Sequence, residues 1–272
     1  MTALEALICG FVQGAAEFLP ISSSGHLALF HAFFGGDGAV QGNLAFDILL
    51  HLATLFAIII VYFKNIISLI PAAFSLLKKI FTGRCAQRFL SEREREVLLL
   101  FFGTIPLLAA FFIKDTVESV ALYPKIVGAL LVFNSVILLL GDSAKGKACL
   151  SSLTPTKAAA VGIFQLLAVF PGLSRSGSTI AGGAFMGLSR TEAVRFSFLL
   201  SVPAVIGANI SNISALGDVP REAVSVYALG MAAAFISGLA AIKLLIFISE
   251  KSNFRVFACY CAVIGACAMI FS

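Results

Sequence analysis

The chain carries one motif twice, and this duplication limits the folds open to it more than any other feature. Residues 10–27 read GFVQGAAEFLPISSSGHL, and residues 162–179 read GIFQLLAVFPGLSRSGST. The two segments align without a gap, 152 positions apart, and share seven identities. Each holds a proline that interrupts a helical pattern, followed by a serine-rich run with a glycine. A repeated break of this kind predicts two interrupted helices that meet near the middle of a bilayer.

The composition supports a membrane setting. The chain is 60% hydrophobic and only 12% charged, which excludes an ordinary soluble domain. A helix needs about 20 apolar residues to cross the hydrocarbon core of a bilayer. Six segments approach or reach that length, namely 44–62, 97–113, 126–140, 196–210, 226–248 and 254–271.

The basic residues are distributed unevenly around these segments. If the first break forms a re-entrant hairpin, one face receives fourteen Lys and Arg residues and the other receives three. The positive-inside rule assigns the richer face to the cytoplasm, so both termini lie outside. The segment at about 64–96 is then a cytoplasmic loop, with an amphipathic helix around 66–77 and Ser91 as a helix N-cap. Because these charges flank spans, we expect no nucleic-acid partner.

A second pair of segments extends the repeat. FDILLH at 46–51 matches FSFLLS at 196–201, so each half contains one hairpin followed by three spans. Three crossings turn the second half upside down relative to the first. We therefore predict an all-α integral membrane protein with an inverted-topology repeat, about six transmembrane helices and two re-entrant helical hairpins. It forms a single membrane domain over 1–272, with repeat one at about 1–141 and repeat two at about 155–272.

The second hairpin has the chemistry of an anion site. Pro171 and Gly172 end the incoming helix, and a new helix is expected to start near Ser176. Its unpaired N–H groups and positive dipole end would face the break. Arg175 adds a permanent cation with a planar donor fork, which suits phosphate. A charge in so apolar a segment is costly and indicates function. The predicted substrate-binding hydroxyls here belong to Ser174, Ser176 and Thr179.

The first hairpin supplies acid–base groups. Glu17 is a carboxylate in an apolar helix, and His26 lies just beyond the break. Three serines lie between them, at Ser22, Ser23 and Ser24, and Ser22 and Ser24 are predicted to bind substrate. A carboxylate and an imidazole beside hydroxyls, facing an arginine from the other hairpin, suit proton transfer or metal binding.

Four more polar residues lie near these motifs. Gln13 comes one turn before Glu17 and shares its face, and Gln165 holds the same place in the second hairpin. Both are predicted to bind substrate. Asp47 and His51 are i,i+4 neighbours at the start of a span. They either line the mouth of the site or pair with each other, and pairing is slightly favoured.

These motifs resemble a known family. The pattern from Gln13 to His26, QGAAEFLPISSSGH, is similar to the first signature of the undecaprenyl-pyrophosphate phosphatases linked to bacitracin resistance, and PGLSRSGST at 171–179 is similar to the second. FDILLHLAT and FSFLLSVPA fit as well. The resemblance implies a hydrolase of the bacterial inner membrane that converts an isoprenyl pyrophosphate lipid to the monophosphate. That reaction recycles the lipid carrier for peptidoglycan synthesis.

The resemblance also assigns roles to residues. It implies catalytic roles for Glu17, Ser23, His26 and Arg175, a site reached from the periplasmic side, and a divalent cation, Mg²⁺ or Ca²⁺, with Glu17 as a ligand. Many members carry Glu at the position of Gln13, so here Glu17 acts with substrate oxygens and water, or with Asp47. The sequence leaves open whether the protein forms a homodimer.

The sequence leaves two questions open, the identity of the nucleophile and the choice between hydrolysis and transport. The nucleophile is Ser23 with His26 or Glu17 as base, His26 itself, or an activated water. The protein could instead move isoprenyl phosphate lipids across the bilayer, because inverted repeats with central anion sites also occur in transporters. Acid–base groups beside the anion site favour hydrolysis over transport.

Overall fold

The described part of the chain is helical. The structure, a computed structural model, describes residues 1–34, 44–82, 90–144, 146–251 and 253–272. These residues contain no β-strand, apart from one isolated bridge between Ala148 and Leu188. The predicted all-α class is confirmed. Part of the predicted cytoplasmic loop, residues 83–89, lies outside the described residues.

The described residues form a series of α-helices. They are α1 (Ala3–Phe18), α2 (Ser23–Phe34), α3 (Leu44–Val61), α4 (Phe63–Phe81), α5 (Glu92–Thr104), α6 (Lys114–Ala121), α7 (Pro124–Ser143), α8 (Pro155–Leu167), α9 (Arg175–Phe185), α10 (Arg190–Ser211), α11 (Val224–Lys251) and α12 (Arg255–Phe271). Helix α4 contains the predicted amphipathic segment, and Ser91 caps α5 through a capping box.

Several helical segments have the length and composition of membrane spans. Five qualify by length and hydropathy within the described residues, and the sixth predicted span is the shorter apolar helix α12. The five are Leu44–Val61, Glu92–Ala121, Pro124–Ser143, Arg190–Ser211 and Arg221–Lys251. Many large apolar side chains on these segments are exposed, among them Phe111 and Phe112. Such surfaces need lipid around them, so the protein is a multi-pass membrane protein.

The span predicted at 97–113 differs in form from a regular α-helix. Helix α5 ends at Thr104, and the chain continues as a 3₁₀ helix over Ile105–Ile113 before α6 begins. Pro106 lies in the first turn of that stretch. Proline has no N–H to donate to the preceding turn, which accounts for the change in helix type.

The helices of the two halves pack in matching pairs. Helix α1 packs along α11, and its counterpart α8 packs along α5. Helices α7 and α12, which are counterparts of each other, also pack together. Glycine allows the closest of these approaches, because a Cβ on Gly10 would lie 2.1 Å from the carbonyl oxygen of Gly230. The pairing is the one that a pseudo-twofold requires, and the inversion of the two halves stays a prediction.

Ion pairs join the helix ends on the face predicted to be cytoplasmic. Arg195 Nη2 lies 2.7 Å from Glu96 Oε1, which links α10 to α5. Arg190 Nη2 lies 2.7 Å from Asp142 Oδ1, which links α10 to α7. These buried or half-buried pairs lie at the start of α10, near the start of α5 and at the end of α7, and they fix how these helices pack against one another.

Candidate active site

The two helix breaks touch each other. Ser22, in the first break, has a φ of 72°, and Gly172, in the second, has a φ of 104°. The Ser22 hydroxyl accepts hydrogen bonds from the Gly172 N–H at 3.1 Å and from the Gly25 N–H at 3.2 Å. A Cβ added to Gly25 would lie 2.8 Å from the Gly172 Cα. The glycines of both motifs are therefore required by close backbone contact between the breaks.

A single asparagine from α7 holds both breaks. The Asn134 amide donates from Nδ2 to the Pro20 carbonyl oxygen at 3.1 Å, and its Oδ1 accepts from the Ser174 N–H at 3.0 Å. Asn134 is fully buried. The sequence analysis did not identify this residue. The sequence feature that could have identified Asn134 is an amide side chain in the middle of an apolar span, where polar side chains are uncommon and usually have a partner.

A cavity of about 250 Å³ lies where the breaks meet. Its apolar lining includes Leu107, Val169 and Val205. Its polar lining consists of Glu17, Ser22, Ser23, Ser24, His51, Gln165, Ser174 and Arg175. Seven of these eight polar residues belong to the two repeated motifs, so the repeat builds most of the polar wall.

Glu17 is the centre of the polar network. Its Oε1 forms an ion pair with Arg175 Nη2. Its Oε2 accepts a hydrogen bond from Ser23 Oγ at 2.7 Å and one from Gln13 Nε2 at 3.0 Å. Three donors, one of them a guanidinium, converge on its two oxygens, and this arrangement favours the ionised carboxylate. It is placed to orient the arginine and to take a proton from the serine.

Ser23 and Arg175 hold equivalent places in the two motifs. Ser23 is the first residue of α2, and Arg175 is the first residue of α9. Both line the cavity, and both contact Glu17. The positive ends of two helix dipoles therefore lie at the cavity, which favours an anion there.

Arg175 has donor capacity left for a ligand. Nη2 is engaged with Glu17, whereas Nη1 is buried and has no hydrogen-bond partner among the described residues. Gln165 is in the same condition, since both its amide oxygen and its amide nitrogen are buried and unpartnered in the described structure. Buried polar groups without partners are rare in folded proteins, and because Arg175 and Gln165 both line the cavity, their unpartnered atoms point to a ligand there.

His51 belongs to the site as well. Its Nδ1 lies 3.0 Å from Gln13 Nε2 and 3.7 Å from Glu17 Oε2, and its ring lines the cavity. The favoured pairing with Asp47 is therefore wrong for His51, because the first hairpin offers it closer polar partners. Asp47 does not line this cavity.

Comparison with known proteins identifies the family of this chain. The family model described as bacitracin resistance protein BacA matches residues 6–267. The chain belongs to this family. It is 39% identical to an undecaprenyl-diphosphatase of Methanosphaera stadtmanae, over 99% of this chain and 98% of that protein. It is 36% identical to an undecaprenyl-diphosphatase of Parabacteroides distasonis, over 99% of this chain and 100% of that protein.

The structure of this BacA-family chain places His26 outside the central cavity. His26 Nδ1 lies 2.8 Å from the Ser22 carbonyl oxygen, and its Nε2 lies 2.8 Å from the Tyr260 hydroxyl. The two rings stack, with centroids 5.5 Å apart. Together with residues such as Leu29 and Ile264, His26 lines a separate, mostly apolar cavity. Its predicted catalytic role stays a prediction, and its visible contact with the site is through Ser22.

The hydroxyls of the second motif differ in what they contact. Ser174 caps α9 by accepting from the Gly177 N–H at 3.1 Å, and it also lines the cavity. Ser176 donates to the Leu19 carbonyl oxygen at 3.2 Å, across the two breaks. Thr179 is fully buried and bonds to Ser197 Oγ at 2.6 Å. Neither Ser176 nor Thr179 lines the cavity, so both hold the hairpin in place in this structure.

The cavity offers oxygen donors of the kind that a hard divalent cation binds. Glu17 is ionised and retains a free lone pair on Oε1, and Gln165 Oε1 is buried without a partner among the described residues. No group of three His, Cys, Asp or Glu side chains that could hold a metal is found in the described ranges. Mg²⁺ commonly uses one carboxylate and completes its shell with phosphate oxygens and water. The residues present fit such a site.

Proposed function

We propose that this protein hydrolyses undecaprenyl diphosphate to undecaprenyl phosphate and inorganic phosphate. The proposal combines family membership with the names of its relatives and with the chemistry of the cavity. The product is the lipid carrier on which envelope glycans are assembled, so the activity supports peptidoglycan synthesis and bacitracin resistance. The chain is accordingly a membrane-bound diphosphatase.

One observation carries this proposal, namely the contact chain from Ser23 through Glu17 to Arg175. One cavity holds a hydroxyl, a carboxylate that can accept its proton, and an arginine whose Nη1 has no partner among the described residues. A carrier of lipid phosphates needs the arginine but has no need for a hydroxyl hydrogen-bonded to a base. Phosphoryl transfer needs all three groups.

The first step proposed is attack on the terminal phosphorus by Ser23 Oγ. Glu17 Oε2, 2.7 Å away, takes the hydroxyl proton as the new O–P bond forms. The bond from that phosphorus to the bridging oxygen breaks, and undecaprenyl phosphate leaves with the bond's electron pair. Arg175 stabilises the charge on the non-bridging oxygens, and the N-termini of α2 and α9 add to the positive field.

The second step restores the enzyme. Glu17 first releases the Ser23 proton to the departing lipid phosphate or to solvent. Water then attacks the phosphorus of the phosphoserine at residue 23, and Glu17 accepts the water's proton. The bond from phosphorus to Ser23 Oγ breaks, and Glu17 returns that proton to the Ser23 oxygen. The products of the two steps are undecaprenyl phosphate and one inorganic phosphate. Direct attack by water on the substrate gives the same products without a phosphoserine, and the nucleophile test in the Discussion separates the two routes.

We also propose a divalent cation, Mg²⁺ or Ca²⁺, held by Glu17 and Gln165 together with the substrate. When bound, it would neutralise part of the diphosphate charge and stabilise the departing oxygen. Gln165 positions the phosphate through its amide N–H, and Ser174 and Ser24 contribute hydroxyl donors from the cavity wall.

The lipid tail is expected to stay in the bilayer. A cavity of about 250 Å³ accommodates a diphosphate but not a C55 chain. Leu107 lines the cavity and belongs to the 3₁₀ stretch Ile105–Ile113, whose neighbouring residues Phe111 and Phe112 are exposed to lipid. The first isoprene units can therefore leave the cavity along this apolar side.

The decisive experiment is phosphate release from undecaprenyl diphosphate by the purified protein in detergent with Mg²⁺. We expect turnover by the wild type, loss with Arg175→Ala, and normal turnover with Ser178→Ala. Ser178 is a buried serine on α9 whose hydroxyl has no partner among the described residues, so its loss is nearly neutral. Absence of release by the folded wild type would overturn the proposal. Lipid movement between vesicle leaflets without release would favour a transporter.

We further propose that the protein lies in the bacterial inner membrane with both termini outside and the cavity reached from the periplasm. The support is the distribution of basic residues. Impermeant thiol labelling of single-cysteine variants, made after replacing the six native cysteines, tests this. Glu118→Cys should react in intact cells and Lys78→Cys only after permeabilisation. The reverse pattern contradicts the topology.

A further inference from the structure

The first hairpin contains a hydrogen-bond relay that the catalytic scheme does not use. Gln13 Nε2 lies 3.0 Å from Glu17 Oε2 and 3.0 Å from His51 Nδ1. An amide nitrogen carries two hydrogens, and each has one acceptor here. The opposite amide orientation would place the Gln13 oxygen against a carboxylate oxygen, with two acceptors facing each other. Glu17 therefore fixes the orientation of the Gln13 amide.

The orientation of Gln13 determines where His51 carries its proton. Because Gln13 Nε2 is a donor, His51 Nδ1 must offer its lone pair. In a neutral imidazole the proton then lies on Nε2. The His51 side chain is 39% exposed, and its ring lines the cavity. Since Gln13 covers the Nδ1 edge, the Nε2–H edge is the one available to a ligand.

The described residues of the second half contain no such relay. The counterparts of Gln13, Glu17 and His51 are Gln165, Val169 and Ser201. Both amide atoms of Gln165 are unpartnered within the described residues, and the Ser201 hydroxyl donates to the Phe198 carbonyl oxygen at 2.7 Å. Among the described residues, the relay therefore occurs in the hairpin that carries the carboxylate. This links the position of His51 to the proposed role of Glu17 in phosphoryl transfer.

We propose that His51 is a further catalytic residue, locked by Gln13 in the Nε2–H tautomer so that this N–H donates to a non-bridging oxygen of the diphosphate. The inference rests on the proposed phosphatase function. His51 would supply a neutral hydrogen-bond donor on the α3 side of the cavity, whereas Arg175 supplies a charged one. The charged groups that face His51 are Glu17, Arg175 beyond it, and Asp47 one turn earlier on α3.

The tautomer can be measured without any turnover. The chain has only three histidines, so ¹⁵N-histidine labelling gives three imidazole signals, and His51→Asn identifies the one from His51. We expect the Nε2–H pattern in the wild type. Gln13→Leu should shift the His51 signal toward a mixture of tautomers and leave that of His31 unchanged. A His51 signal of the Nδ1–H type in the wild type overturns the relay.

Two conservative variants separate a donor to phosphate from a structural partner of Gln13. The amide of Gln reaches the position of imidazole Nε2, whereas the amide of Asn ends near Nδ1. Loss of one transition-state donor costs on the order of 10²–10³ in kcat. We therefore expect His51→Leu and His51→Asn to lose about that factor, and His51→Gln to recover most of it. His31→Gln, on α2 and outside the cavity lining, is the matched control.

The outcomes also separate this inference from the proposed function. If the wild type releases no phosphate, the phosphatase function fails, and the NMR measurement still decides whether the relay exists. If the wild type is active and His51→Leu is equally active, the donor role of His51 is wrong. If His51→Asn is active and His51→Gln is not, His51 serves only to hold Gln13.

Discussion

The two hairpins share a sequence pattern and a backbone break, yet they contribute different chemistry. The first supplies a carboxylate and a serine in contact, Glu17 and Ser23. The second supplies a cation, Arg175, with one free nitrogen among the described residues. At the positions equivalent to Glu17 and Arg175 the other hairpin has Val169 and Ser23. The shared residues build the scaffold, and the reaction depends on the positions where the repeats diverged.

The largest expected effect concerns the first hairpin. Ser23→Ala should lower kcat by more than about 10³-fold, because removal of a nucleophile costs more than removal of one donor. Phosphate release is the measurement, and Ser178→Ala on the second hairpin is the control. Mass spectrometry of acid-quenched enzyme should detect phosphate on Ser23. Retention of several per cent of kcat by Ser23→Ala would assign the attack to water instead.

The next effect concerns the second hairpin. Arg175→Lys should lower kcat by about 10²–10³-fold, nearly as much as Arg175→Ala, because an ammonium cannot contact Glu17 and phosphate with one planar fork. Arg190→Lys is the matched control, because it makes the same change in an ion pair with Asp142 that lies outside the central cavity. This variant should hydrolyse the substrate at the normal rate. High activity in Arg175→Lys would show that the second hairpin contributes only bulk charge.

The packing of the second break against α7 can be tested through stability. Gly172 and Gly187 both have positive φ, but a Cβ on Gly172 would lie 2.6 Å from the Val127 carbonyl oxygen, whereas one on Gly187 meets nothing within 4 Å. Both alanine variants carry backbone strain of about 1–2 kcal/mol. Gly172→Ala should lower the free energy of unfolding by about 1–3 kcal/mol more, owing to overpacking. Equal losses in denaturant titrations would contradict tight packing of the second break against α7.

The smallest effect concerns His26. The family resemblance implies a catalytic role for this residue, whereas the structure places it outside the central cavity. Tyr260→Phe keeps the stacked ring and removes one hydrogen bond worth about 1 kcal/mol, so turnover should fall by less than about tenfold. His26→Asn should retain activity, because its amide can still donate to the Ser22 carbonyl oxygen. A folded His26→Asn protein without turnover would establish a direct role for His26.

The sequence by itself determined the elements and most of the site. Hydropathy located the spans, and the Pro and Gly residues located the breaks, because the backbone limits of these residues act locally. The repeat pointed to Glu17, Ser23 and Arg175 before any contact was known. These inferences need only neighbours in the chain, or the expectation that two similar hairpins face each other.

The tertiary structure decided which side chains beside the breaks face the cavity. Asn134 joins the two breaks from a span 114 residues beyond Pro20, and Tyr260 draws His26 to another cavity from 234 residues away. His51 turns to Gln13 instead of Asp47 because the first hairpin packs against α3. Motif spacing places a side chain on a helix, but its direction near a break depends on partners from distant helices. Those partners exist only once the helices have packed.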